Sequence, residues 1–491
     1  MPDFSAIPLW IIAIDLIIRI SVAARIIYTR RPVTVSLMWL VVLAFIPFFG
    51  AFLYFLIGES RLGSRRLRRY LQLSQELDAR AGTLWKHQQH DMQEDGDDPA
   101  LWAPVARFGT AVSGLPPLKG NNLTLLGDVH GMISSLIKDI DNATSHIHLL
   151  YYIWQKDNPG PVEDLIEALL RAAARGVECR VLVDAVGAKH FLRGSHVGRL
   201  REGGVRVVEA LPVGITRMFL ERIDLRNHRK IAIIDGKIAY CGSHNMTDAA
   251  FRVGWIWKSG LYIDATVRIA GPAAGALAVV FLHDWLLDSD ERFDDLAKYI
   301  PDTRKQRGHT SAVQIIPSGP GPAPDAIHQA LLTTVYLARE ELLMTTPYFV
   351  PDEALSKALQ SAARRGVDVT LVMPSESDSW IVAAASRSHY ADLLDAGVKI
   401  RHYRGGLLHS KTITVDRKFG LIGSTNFDAR SFWLNFEVTV FVYDDDFASE
   451  MRFMQTSYLS DSYEIHLDEW RKRPHWHVFR DNAAQLLGPL L

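Results

Sequence analysis

The sequence predicts an α/β fold: two tandem α/β sandwich lobes sharing one active site, preceded by two N-terminal apolar membrane helices. Three observations carry this expectation. An octapeptide occurs twice, HRKIAIID at His228–Asp235 and HSKTITVD at His409–Asp416, with His, Lys and Asp at the same offsets. A helix–glycine–strand pattern occurs twice, at a similar shift along the chain. Two long apolar stretches fill the first sixty residues.

The bulk properties frame these elements. A chain of 491 residues is too long for one ordinary core and implies two or more domains. Hydrophobic residues make up 48% and charged residues 22%, so most of the chain should fold. The formal net charge of −1 lacks the basic excess of a nucleic-acid binder, and no nucleic-acid partner is expected. Cys179 and Cys241 both lie in apolar runs and read as buried free thiols of a reducing compartment, without the neighbours a zinc site needs.

The front end reads as a membrane anchor over residues 1–60. The stretch Val33–Gly58 carries no charge and exceeds the roughly 20 residues that cross a bilayer as a helix. Pro47 and Gly50 could kink it, as membrane helices tolerate. The earlier stretch, IPLWIIAIDLIIRISVAARIIY, contains Asp15 and Arg19 four apart, a spacing that pairs on one helix face. It either spans or lies along the interface. It lacks the basic start and the small-residue cleavage site of a signal peptide. Arg30 and Arg31 lie between the stretches; Arg61, Arg65, Arg66, Arg68 and Arg69 follow the second. The larger cluster places the body on the cytoplasmic side and could hold anionic headgroups. A basic and polar linker is expected over residues 61–105.

Beyond it the chain repeats, with lobe 1 expected over 106–305 and lobe 2 over 306–491. LIEALLRAAARGVECRVLVD (Leu165–Asp184) matches ALSKALQSAARRGVDVTLVMP (Ala354–Pro374): an amphipathic helix, a glycine at its end, then an apolar strand. The aromatic runs HLLYYIW and LMTTPYF precede the helices, and the octapeptides follow. Such a duplication suggests two lobes packed face to face, with the octapeptides at one shared site.

Each octapeptide has an apolar filling, IAII or TITV, that reads as a buried strand. His228 and Lys230 then share one face, as do His409 and Lys411, while Asp235 and Asp416 fall at the strand end in a supporting role. A second strand follows each, ending in Gly-Ser-X-Asn: Ser243 and Asn245 in one copy, Ser424 and Asn426 in the other. Glycine admits close backbone approach to a ligand, and Ser and Asn offer neutral hydrogen bonds to phosphate oxygens. The converging set forms an anion pocket. The lysines would stabilise developing negative charge, one histidine would attack phosphorus, and the other would protonate the leaving alcohol. No metal and no cofactor is required by this chemistry, and no carboxylate cluster suggests a metal.

The double His-X-Lys-X4-Asp motif resembles that of the phospholipase D superfamily, over roughly residues 120–460. The resemblance implies a bilobal α/β fold, one site at the lobe interface, and a ping-pong mechanism through a phosphohistidine. It also implies an acidic residue past each motif that orients a catalytic histidine; Asp264 and Glu437 stand in the matching places. Within the superfamily, two membrane segments, a basic patch and two such lobes look like the bacterial cardiolipin synthases. That likeness implies phosphatidyl transfer between two phosphatidylglycerol molecules with release of glycerol, at the bacterial inner membrane, with the body on the cytoplasmic side. His228 is then expected as nucleophile and His409 as general acid. A membrane-bound lipid hydrolase or a tethered nuclease would use the same residues. Tyr151, Tyr152, Trp154, Tyr348, Phe349, Phe432 and Trp433 could line a greasy channel or pack the core. Arg217, Arg222, Arg226, Arg401 and Arg404 precede the motifs and could hold the acceptor headgroup. Phospholipid and membrane are the expected partners; a homo-oligomer stays open.

Overall fold

A computed structural model of the chain describes residues 8–29, 33–58, 62–63, 66–77, 101–155, 160–214, 222, 224–248, 261–293, 298–301, 311–321 and 323–488. They divide into two compact units, residues 1–67 with 213–225, and residues 68–212 with 226–491.

In the first unit, helix α1 (Leu9–Tyr28) is long enough to cross a bilayer but carries Asp15, Arg19 and Arg25. Asp15 and Arg19 form the expected i,i+4 pair at 2.6 Å. The charge-free stretch departs from expectation. It is α2 (Val33–Phe45), a turn through Pro47, α3 (Phe49–Leu53) and a π-helical turn at Tyr54–Gly58. Proline cannot donate to the preceding turn, and its ring collides with it. The chain breaks there, with Phe48 at φ 51°. The N–H of Phe48 donates to Asp15 at 2.8 Å, so the buried carboxylate serves the break as well as Arg19. Among the described residues no helix is long and apolar enough to cross a membrane, so the expected spanning helix over Val33–Gly58 is not found and the N-terminal membrane helices are unsupported. Arg30, Arg31, Arg61 and Arg65, on which the orientation argument leaned, lie outside the described residues. So does most of the linker, although residues 66–77 are helical.

The second unit is built on one 15-stranded sheet. Its first half contains β1 (Leu118–Leu126), β2 (His146–Tyr151), β3 (Glu178–Asp184) and β4 (Arg206–Ala210). It continues with β5 (Ile231–Ile234), β6 (Ile238–Gly242) and β8 (Thr266–Ala270); β7 (Tyr262–Ile263) stands apart from the sheet. The second half contains β9 (Ser311–Ser318), β10 (Glu341–Thr345), β11 (Asp368–Pro374) and β12 (Lys399–Tyr403). It continues with β14 (Thr412–Val415), β15 (Phe419–Gly423), β16 (Glu437–Tyr443) and β17 (Ser462–Glu464), while β13 (Leu407–Leu408) lies outside the sheet and pairs with β7.

The strand orders are β4-β3-β2-β5-β6-β8-β1 and β12-β11-β10-β14-β15-β16-β9, the same path twice, with β17 added outside β12. In each half three strands are parallel and the octapeptide strand, β5 or β14, runs antiparallel beside them. The halves meet edge to edge, not face to face as expected. β1 pairs antiparallel with β9 through Leu118↔Val313 and Asn121↔Ser311, with an irregularity between them. Buried Asn121 pins that irregularity. Its amide donates to the carbonyls of Leu118 (2.6 Å) and Ser311 (3.2 Å), and its Oδ1 accepts from the N–H of Ala273 (2.9 Å). The expected boundary between 305 and 306 falls in residues 302–310, outside the described set.

The repeated helices Pro161–Ala174 and Glu353–Arg364 both end as their sequences suggest. Gly176 (φ 86°) and Gly366 (φ 93°) take the left-handed conformation. The following N–H groups of Val177 and Val367 reach back to Ala172 and Ala362 at 3.1 Å, a Schellman closure that satisfies terminal carbonyls. The apolar faces of these helices pack on their own half of the sheet. A third core lies across the seam, around helix Pro272–Asp288, which is apolar on all sides and buried along nearly its whole length. Its Phe281 and Trp285 are each worth at most about 3 kcal/mol of burial. Because that core takes Ile231 and Ile233 from one half and Val438 and Val440 from the other, the halves form one compact body.

Candidate active site

The C-terminal ends of the parallel strands and the start of the octapeptide strands lie at the same edge of each half-sheet: Leu150 pairs with Ile231, and Thr345 with Thr412. His228, Lys230, His409 and Lys411 enter there, all buried. The two histidine backbones are seated by the opposite half. His228 N–H donates to the Phe436 carbonyl (2.9 Å), and Phe436 N–H donates to the Arg226 carbonyl (2.9 Å). In the other copy β13 runs parallel to β7, and His409 N–H donates to the Ile263 carbonyl (2.8 Å).

This pairing places each acidic residue beside the histidine of the other half. His228 Nδ1 lies 3.0 Å from Glu437 Oε2, and His409 Nδ1 lies 2.7 Å from Asp264 Oδ1. A carboxylate on Nδ1 favours the tautomer with hydrogen there, which leaves the Nε2 lone pair for chemistry. The lysines are equivalent too, each Nζ donating to the carbonyl of the histidine two residues back at 2.6 Å. Tyr152 packs edge-on to His228 (4.9 Å) and Tyr262 edge-on to His409 (5.4 Å).

The electrostatics follow from burying four basic groups around two acids. Burial, helped by the nearby lysines, pushes His228 and His409 down to about 4, so both imidazoles are neutral near pH 7. Burial also lowers Lys230 to about 7 and Lys411 to about 8, against the pull of Glu437 and Asp264. Burial opposes the charge of Glu437 and Asp264, but the histidine and lysine each faces holds both carboxyls below their ordinary range. An arriving phosphate anion would restore charge to the lysines and favour protonation of one histidine. Among the described residues no group of three or more His, Cys, Asp or Glu side chains could hold a metal ion.

The remaining motif residues hold the frame. Asp235 accepts from the backbone N–H groups of Thr144 (2.9 Å), Ser145 (2.7 Å) and His146 (3.0 Å). Asp416 accepts from those of Arg339, Glu340 and Glu341 at 2.7–2.9 Å. Both lie in left-handed turns at the far end of the octapeptide strands, φ 52° and 51°, and clamp the start of β2 and β10. The Ser-X-Asn residues differ from expectation. Ser243 exchanges hydrogen bonds with Ala265, and Ser424 with Val438, the residues after the two orienting acids; Ser424 also donates to Glu437. Their hydroxyls hold the acid-bearing strands instead of reaching toward a phosphate. Gly242 and Gly423 are glycine for the same reason: a Cβ would sit 2.2 Å from the Ala265 carbonyl oxygen or 2.4 Å from that of Val438. The close approach is to a neighbouring strand, not a ligand. Asn245 accepts from the Ile153 N–H (3.1 Å), while the buried Asn426 Oδ1 has no hydrogen-bond partner among the described residues.

The aromatic and arginine candidates separate. Tyr151, Trp154, Phe349 and Phe432 are core residues, and Trp433 packs against the core. Tyr348 donates to Asp378. Arg222 pairs with Asp224, Arg226 with Asp184, and Arg401 with Glu464; Arg404 lies over the Tyr463 ring at 4.5 Å. Arg217 is outside the described residues. One residue missed from sequence is Arg229, the variable position of the first motif. It donates to both Asp284 oxygens (2.7 Å) and to the carbonyls of Glu437 (2.9 Å) and Ser318 (3.0 Å). Asp284, set within the apolar run PAAGALAVVFLHDWLL, was the available signal that something buried had to meet it.

Comparison with known proteins matches this chain to the family described as cardiolipin synthase, phospholipase D-like domain, over residues 136–285 and 331–454. Residues 9–59 match the phospholipase D-nuclease N-terminal family. Cardiolipin synthase A of Yersinia pseudotuberculosis is 40% identical over 478 residues, 96% of each chain. Cardiolipin synthase A of Proteus mirabilis is 39% identical over 477 residues, again 96% of each. In fold, the crystal structure of phosphatidylserine synthase from Haemophilus influenzae is similar at a TM-score of 0.58 and 18% identity, covering 79% of this chain and all of that one.

Proposed function

The chain belongs to the phospholipase D-like cardiolipin synthase family, and from that premise we propose that it transfers a phosphatidyl group from one phosphatidylglycerol to another. One observation carries the reading: two buried histidines, each held at Nδ1 by an acid from the other half, with both lysines bearing electrostatically on each of them. His228 Nε2 attacks phosphorus of the donor; the bond to the glycerol oxygen breaks, and His409 supplies the proton that glycerol carries away. His409, now neutral, takes the proton from the terminal hydroxyl of the second phosphatidylglycerol. That oxygen attacks phosphorus, the P–N bond breaks, and His228 is released as cardiolipin forms. Lys230 and Lys411 stabilise the charge on the non-bridging oxygens, and Asn245 and Asn426 are the neutral amides at the same edge. Asp264 and Glu437 act through the histidines they orient.

Water must be kept from the phosphatidyl-enzyme for transfer to outrun hydrolysis. Pure protein given phosphatidylglycerol alone, followed by lipid mass spectrometry, should yield cardiolipin and an equal amount of glycerol. Phosphatidic acid without cardiolipin would replace this reading by a hydrolase. Trapping labelled phosphatidyl on single-histidine variants tests the roles: label on a His228→Ala chain would reverse them.

The first unit supports a membrane location for this chemistry. Its α1 exposes Leu9, Trp10, Ile17, Ile20 and Ile27, and α2 exposes Val33, Leu37, Val41 and Phe45. Such a surface suits embedding of a bent helical element in the inner membrane, with the body on the cytoplasmic side. Protease treatment of inverted against right-side-out vesicles reads the side: cleavage of the body only in inverted vesicles is the expected result.

A further inference from the structure

The last helix, His475–Gln485, is apolar on the side that faces out. Its inner side, with Asp481 and Ala484, lies on helix Trp380–Ser388, where Ala484 joins Ala384, Ala385 and Val350 in a small core. Its outer side carries Trp476, Phe479, Ala483 and Leu486, spaced three or four apart along one stripe. Trp476 is 67% exposed, Phe479 64% and Leu486 75%, with the two aromatic rings stacked at 5.6 Å. Trp380, at the start of the neighbouring helix, is 70% exposed. A helix of a water-facing surface has the opposite arrangement.

Charge and position narrow what covers this stripe. Residues 471–488 hold four basic side chains, Arg471, Lys472, Arg473 and Arg480, and a single acid, Asp481. That acid is buried and takes Arg387, Arg473 and Arg480 together, three guanidinium groups on one carboxylate, so this cluster beside the stripe keeps a net positive charge. The stripe also leads toward the active site. Trp380 lies two residues beyond Asp378, which accepts from Tyr348 and bears electrostatically on Lys411; Gly488 lies against Val350, two residues beyond Tyr348.

We propose that helix His475–Gln485 is an interfacial element whose outward stripe of Trp476, Phe479 and Leu486 inserts into the headgroup–acyl boundary of an anionic bilayer, beside the approach to the active site. Interfacial helices of this composition bind through buried apolar area plus attraction of their basic rim to anionic lipid. The partner's chemistry rests on the phosphatidyl-transfer reading, since the substrate would then be drawn from the surface the helix contacts.

The test uses the full chain with an environment-sensitive fluorophore at Ala483→Cys; both native cysteines are buried. Vesicles containing phosphatidylglycerol should shift its emission to the blue and expose it to nitroxide lipids, increasingly with anionic fraction. Adding Trp476→Gln and Phe479→Gln should lower that quenching at least about tenfold in apparent lipid affinity. The same pair should slow turnover on vesicles while sparing turnover on short-chain, monomeric phosphatidylglycerol. No emission change on adding vesicles overturns the proposal, as does equal loss on both substrates. A change that follows protein concentration without vesicles assigns the stripe to a second copy and also overturns it. Insertion is read without turnover, so a chain that inserts but makes no cardiolipin refutes only the transferase reading.

Discussion

The two halves of the site share one plan and differ in how each is braced. Both place a histidine and a lysine at the start of an octapeptide strand, and both borrow the orienting acid from the other half. The first half uses Glu437, which also accepts from Ser424. The second uses the shorter Asp264, whose histidine sits against Tyr262. Between His and Lys, the first motif carries Arg229, ion-paired to Asp284 and bonded to β9 and β16. The second carries Ser410, whose hydroxyl meets that of Thr345 on β10 and whose N–H donates to the Ile263 carbonyl, with no ion pair to it among the described residues. The duplication kept the histidine, the lysine and the exchanged acid and let the bracing diverge: one variable position became the tie across the seam.

The strongest way to break the equivalence is to remove the histidines singly. His228→Ala and His409→Ala should each lower kcat by about 10⁴-fold or more, as loss of a nucleophile or its acid–base partner does. Only the chain retaining His228 should accumulate labelled phosphatidyl. Next come the acids. Glu437→Gln and Asp264→Asn should each cost about 10³-fold in kcat, because an amide can hold the wrong imidazole tautomer, with little change in melting temperature. A variant that unfolds would show instead that the pair is chiefly structural.

A third comparison sets Arg229→Ala against Ser410→Ala in denaturant. The first strands Asp284 in the seam core and should cost about 3–5 kcal/mol. The second should cost about 1 kcal/mol or less. Equal losses would remove the distinction between the two bracing schemes. The smallest effect is in pH. The kcat/KM of the free enzyme should fall as pH drops through about 4, where His228 protonates and loses the lone pair that attacks phosphorus, and again as it rises through about 7–8, where Lys230 and Lys411 lose their charge. Each limb should fall about tenfold per unit for one titrating group. In kcat the alkaline limb should move up, since bound phosphate favours the ammonium forms. A flat profile from pH 6 to 9 would contradict the buried placement of the lysines.

The sequence made the pieces legible and left their assembly open. His228, Lys230, His409 and Lys411 could be placed because strand alternation fixes which residues share a face, and Gly176 and Gly366 because only a left-handed cap ends those helices so tightly. The strand-end position of Asp235 and Asp416 followed from the odd spacing, although the backbone clamps they form did not. Ser243, Ser424, Gly242 and Gly423 were misjudged because an invitation to a ligand and an invitation to a neighbouring strand look alike in one dimension. The edge-to-edge join was hidden as well, since register across β1 and β9 rests on Asn121, a single polar residue in an ordinary strand. At the front end, composition suggested a span, but one proline and one buried aspartate decided where the helix stops.

The exchange of acids between halves has a consequence for biosynthesis. His228 leaves the ribosome 209 residues before Glu437, the group that orients it. His409 likewise finds Asp264 only once a chain 145 residues longer has folded back. A nascent or truncated first half therefore carries its motif without a poised histidine. A chain ending before Glu437 should show no phosphatidyl labelling at His228. On the proposed reading, the architecture withholds phosphatidyl transfer until synthesis has passed Glu437 and the second half has folded onto the first.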